Sequence, residues 1–86
     1  MTPQQQIARA IAKAETLFTA AHEAVDNVSI GHGNAADQQT IRDCYASACS
    51  LQEWSYGWDY AGENEALVDE LWAICEETKE TVSEYV

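Results

Sequence analysis

Basic residues are scarce in this sequence: four Lys and Arg stand against 15 Asp and Glu, for a formal net charge of −11. Contact with DNA, RNA or an anionic membrane needs a positive surface that attracts phosphate and releases counterions, so direct binding to any of these is not expected. Long apolar runs are also missing. No stretch of about 18 apolar residues occurs, and the opening Met1-Thr2-Pro3-Gln4 has neither a basic n-region nor an apolar h-region, which predicts a cytosolic, non-membrane protein. In that setting the acceptor pattern Asn27-Val28-Ser29 carries no glycosylation signal. The three cysteines, Cys44, Cys49 and Cys75, are odd in number and contain no C-x-x-C pair, which argues against a disulfide framework and a structural zinc site. They read as reduced, small core residues.

The usual motifs of catalysis and metal binding are absent too. Gly31-His32-Gly33 is too short for a phosphate loop and lacks the Lys-Ser/Thr that follows in one. There is no D-x-D-x-D-G calcium loop and no pair of inward Glu-x-x-His motifs for a di-metal centre. Nothing in the spacing ties Cys44 or Cys49 to His22 or His32 as nucleophile and base. The chain therefore reads as a non-enzyme without cofactor or metal, with His32 as a turn residue.

What is present is a fold. Hydrophobic residues make up 47% of the chain, enough for a core, and 86 residues form a single domain because a second core would need roughly 50 more. Ile7, Ile11, Ala14, Phe18, Ala21, Val25 and Val28 recur at steps of four and three, with Ala10, Leu17 and Ala24 widening the stripe, so an amphipathic helix of about 27 residues is expected. Its start is marked by a Thr2-x-x-Gln5 capping box with Pro3 at the first helical position. Small Ala14 and Ala21 let another helix approach closely, from within the chain or from a second copy.

Gly31 suits a left-handed helix terminus, and Asn34 with Asp37 can cap a second helix. That helix carries Ile41, Cys44, Tyr45, Ala48, Leu51 and Ser55 on one stripe. Its far end is ambiguous, because aromatics at every second position from Trp54 to Tyr60 fit a strand. The same residues form helical i, i+4 pairs, Trp54 with Trp58 and Tyr56 with Tyr60, and a lone strand would have no partner, so the helix is preferred, with a turn near Gly57 or Gly62. The third segment aligns Leu67, Leu71, Ile74, Cys75, Thr78, Val82 and Tyr85. The expected architecture is an all-α antiparallel three-helix bundle, with helices at about 3–29, 35–58 and 64–85. A dimer of extended helical hairpins is the alternative.

Charge is polarised along the chain. Residues 1–34 carry −1, residues 35–62 carry −3 and residues 63–86 carry −7. Glu65, Asp69, Glu70, Glu76, Glu77, Glu80 and Glu84 leave the apolar stripe of the third segment free, and the pairs Glu76–Glu80 and Glu80–Glu84 repel at helical spacing. Carboxylates three to seven residues apart lie roughly 5 to 10 Å apart along a helix axis, comparable to phosphates along a nucleic-acid strand. All three Trp (Trp54, Trp58 and Trp72) and three of the four Tyr sit between Tyr45 and Trp72, with Glu53, Asp59 and Glu63 as an acidic rim. Aromatic anchors within carboxylates suit a basic protein surface through cation–π and charge contacts. The plain alternatives are that the acids solvate the molecule and that the rings seal one end of the bundle.

In composition and class, though in no motif, the chain is similar to phage and mobile-element inhibitors of nucleic-acid-handling machinery and to bacterial immunity proteins that neutralise basic nucleases. That likeness implies an antagonist that blocks a basic groove, and it assigns no residue. A helical homodimer or adaptor, solubilised by its charge, is the competing expectation. Sequestration of a small ligand between protomers is a third.

Overall fold

The computed structural model describes residues 2–57 and 64–86. Among these residues there are three α-helices, α1 (Pro3–Ser29), α2 (Ala35–Ser55) and α3 (Glu65–Val82), the last followed by a 3-10 turn at Ser83–Tyr85. Each helix packs against the other two, which makes the molecule a three-helix bundle, elongated at 46 × 21 × 15 Å.

The ends of α1 form as its sequence dictates. Thr2 Oγ1 accepts the Gln5 backbone N–H at 3.2 Å and Gln5 Oε1 accepts the Thr2 N–H at 3.1 Å, closing the capping box. At the other end the His32 N–H donates to Asn27 O and the Gly31 N–H to Val28 O, a Schellman motif with Gly31 at φ +82°. A second constraint lies two residues on: a Cβ on Gly33 would stand 2.5 Å from Val28 Cγ2 and 2.8 Å from Val28 Cα, so the chain folds back against α1 only because no side chain is there. Asn34 and Asp37 then form a reciprocal capping box for α2, and Asn27 Nδ2 donates to Asp37 Oδ1 across the joint.

The core has two layers. One joins Ile7, Ala10, Ile11 and Ala14 of α1 to Ala48 and Leu51 of α2 and to Val68, Leu71 and Cys75 of α3. The other joins Ala21 and Ala24 to Ile41, Cys44 and Val82. Ala14 and Ala21 are 1% and 0% exposed, so the small-residue seam of α1 is filled from within the chain. Phe18, Val25 and Val28, also on the expected stripe, are only half-buried. On α3 the core takes Val68 rather than Leu67 or Ile74, which are half-buried.

Two boundaries differ from the sequence expectation. The second helix stops at Ser55 rather than near residue 58: the Tyr56 and Gly57 N–H groups donate to Glu53 O and Trp54 O, tightening the last turn to i→i+3 bonds. Ser55 contributes, since its buried hydroxyl donates to Gln52 O at 2.7 Å, a side-chain bond to a carbonyl at the helix end. The third helix ends at Val82 rather than 85, and Tyr85 leaves the stripe for the surface, where its hydroxyl meets Ser29 Oγ at 3.2 Å.

Candidate functional site

The acids of α3 occupy one face. With 3.6 residues per turn, Glu65, Asp69, Glu70, Glu76, Glu77 and Glu80 fall within an arc of about 140° lying opposite Val68, Leu71, Cys75, Thr78 and Val82, which are buried. Two rows result, Glu65-Asp69-Glu76-Glu80 and Glu70-Glu77, with exposed Ala66 and Ala73 between them. Glu84 continues the second row in the 3-10 turn. All but Glu76 are exposed.

Glu76 differs because it also holds the bundle together. Its Oε1 accepts from Gln52 Nε2 at 2.9 Å and lies 3.7 Å from Lys79 Nζ, while Lys79 donates to Gln52 Oε1 at 3.0 Å and stands 5.9 Å from the centre of the Tyr45 ring. Gln52 is thus buried with both ends of its amide bonded. Sequence periodicity gives no sign of this, since a Gln on a helix normally points to water.

The aromatics divide between two tasks. Trp72 is half-buried, donates through Nε1 to Ser55 Oγ at 2.6 Å and meets Tyr56 edge-to-face at 5.5 Å, which fastens α3 to the end of α2. Trp54 is 39% exposed and lines a groove that Arg9 and Lys13 of α1 also line, with Glu53 exposed beside it in sequence. Trp58, Asp59 and Glu63, named as candidates from the sequence, lie outside the described residues, as does Tyr60. Arg9 and Lys13 are the residues that sequence reasoning passed over. The available signal was two cations at i, i+4 in a chain that holds four in all.

The thiols are placed for packing. Burial raises the Cys75 pKa to about 11, with Lys79 drawing it down and Glu76 and Cys49 adding to the rise. Burial, and secondarily Asp43, raises that of Cys44, whose Sγ lies 3.5 Å from Leu17 O. Both stay protonated at neutral pH and are poor nucleophiles in that form. Among the described residues no group of three or more His, Cys, Asp or Glu is arranged to hold a metal ion, and no helix is long and apolar enough to cross a membrane.

Fold and surface together define a small acidic three-helix bundle with one anionic helical face. The chain matches no protein-family model, and no curated protein or solved structure is significantly similar to it.

Proposed function

We propose that this protein is a cytoplasmic protein-binding inhibitor whose acidic face docks in a basic, nucleic-acid-binding groove of its partner and excludes nucleic acid from it. The observation that carries this reading is the outward double row on α3. Six carboxylates lie along about 23 Å of helix, roughly one per 4 Å. Phosphates along one strand of duplex DNA come one per about 3.4 Å of axis. A rigid helix holds its charges in register, so a groove that accommodates a phosphate backbone meets a similar linear charge density without the counterion layer a free strand carries. The surrounding field adds to this by accelerating encounter with a basic partner. The two core layers, each drawing on opposite halves of α1 and α2, support the up-down-up course that presents α3 along its full length.

The competing homodimer has less to build on, because the Ala14 and Ala21 seam is consumed inside the monomer.

The test uses two baits, the wild-type chain and a D69N/E70Q/E77Q/E80Q/E84Q variant that spares the structural Glu76. A partner captured from native cells should be retained by the first, lost from the second, and released by duplex DNA or RNA and by rising salt. Retention of the same partner by the variant, or indifference to competing nucleic acid, would sink the inhibitor reading.

A further inference from the structure

The four cations of the chain are unevenly placed. Lys79 is held by Gln52 and Glu76. Arg9 and Lys13, by contrast, stand one turn apart on α1 at a groove of about 560 Å³ between α1 and α2. That volume lies within the range of small-molecule sites, about 300 to 1,000 Å³. No residue of α3 lines it, and because α3 packs on both other helices the groove opens away from the acidic face. It exists because its walls are small: Ala10 faces Ser47 and Ser50 of α2, so the side chains do not close the space between the two helices above buried Leu51.

Two features give the groove a chemistry. Among the described residues no carboxylate comes within 4.0 Å of Arg9 or Lys13, although the chain holds 15 acids. Two cations about 6 Å apart along a helix therefore face a recess lined by hydroxyls, with Leu51 and the Trp54 indole offering apolar surface beside them. A guanidinium pairs with a carboxylate through two parallel N–H···O bonds, and a neighbouring ammonium adds a point charge. A flat ring in the ligand matches the indole face. A dianion would meet more of the repulsion from a molecule of net charge −11 than a monoanion does.

We infer that the α1–α2 groove is a binding site for a small aryl monocarboxylate, its carboxylate held by Arg9 and Lys13 and its ring against Leu51 and Trp54. This site is independent of the acidic face and of its partner.

The experiment titrates the ¹⁵N-labelled full chain with 2-naphthoate and, separately, with the neutral 2-naphthamide, following the indole N–H signals, with that of Trp54 identified from W54F. Naphthoate should shift the Trp54 signal saturably and bind at least tenfold more tightly than the amide. The exposed pair R9Q/K13Q should raise the naphthoate Kd at least tenfold and leave that of the amide within twofold. Equal affinity of the wild-type chain for acid and amide overturns the proposal without reference to any variant. So does an unchanged naphthoate Kd in R9Q/K13Q of wild-type helicity, or a response at Trp72 with none at Trp54.

Discussion

Among the described residues every buried side-chain nitrogen and oxygen has a hydrogen-bond partner, and the buried groups that titrate are the thiols of Cys44 and Cys75. Cys75 is 1% exposed, and its pKa rises from an ordinary 9.0 to about 11 because the thiolate loses hydration in the core. The folded chain therefore keeps a proton that the unfolded chain releases. Below about pH 9 both states hold it and the contribution to stability is complete; as pH climbs toward 11 the unfolded state is favoured and the contribution is lost. Cys44 shifts in the same direction and adds to the slope. Urea unfolding of the wild-type chain should weaken by about 1–2 kcal/mol between pH 8.5 and 10.5 from Cys75. C75A, destabilised at every pH by its cavity, should show a shallower decline. Parallel curves for the two proteins would mean that Cys75 ionises as freely in the fold as out of it.

At the scale of elements the joint between α1 and α2 is tightly specified by its own residues. Gly33→Ala would drive a methyl against the Val28 backbone, whereas among the described residues a Cβ on Gly57 meets nothing nearer than Trp54 O at 3.5 Å. G33A is expected to cost about 1–3 kcal/mol, as overpacking does, and G57A to stay within about 0.5 kcal/mol. In urea unfolding monitored by circular dichroism, equal midpoints for the two variants would disprove the close approach. Gly31 and the capping boxes of Thr2 and Asn34 were legible in the sequence because a cap is local chemistry, decided by residues three or four apart. The three helices were legible for the same reason, through their apolar period. The end of α2 was not, since the aromatic pattern runs on past the tightened turn at Tyr56 and Gly57, and Ser55, whose hydroxyl bonds Gln52 O there, also accepts from Trp72, 17 residues away. Val68 replaced Leu67 because both fit the stripe and only packing against α1 and α2 chooses between them. The acidic face could be read from charge and period alone, while the α1–α2 groove required knowing which small residues of two helices stand opposite each other.

For the molecule as a whole, electrostatics oppose folding. The bundle brings 15 acids and four bases into one small volume, and among the described residues a single ion pair, Glu76–Lys79, lies within 4.0 Å. Attractive pairs are therefore few and repulsive ones many, including Glu76–Glu80 on α3 and Glu80–Glu84 at its end. Salt screens both, with a Debye length of about 30 Å at 0.01 M and about 8 Å at 0.15 M. Since repulsion dominates, screening should stabilise the fold, and the midpoint of thermal unfolding should rise by roughly 4–8 °C for each kcal/mol of repulsion relieved. The same titration in the D69N/E70Q/E77Q/E80Q/E84Q variant, with five carboxylates removed from one face, should give a higher midpoint at low salt and a flatter dependence. If added salt instead lowers the wild-type midpoint, attractive networks outweigh the repulsion. The acidic face would then stabilise the monomer, which removes the reason to expect that a basic partner relieves it.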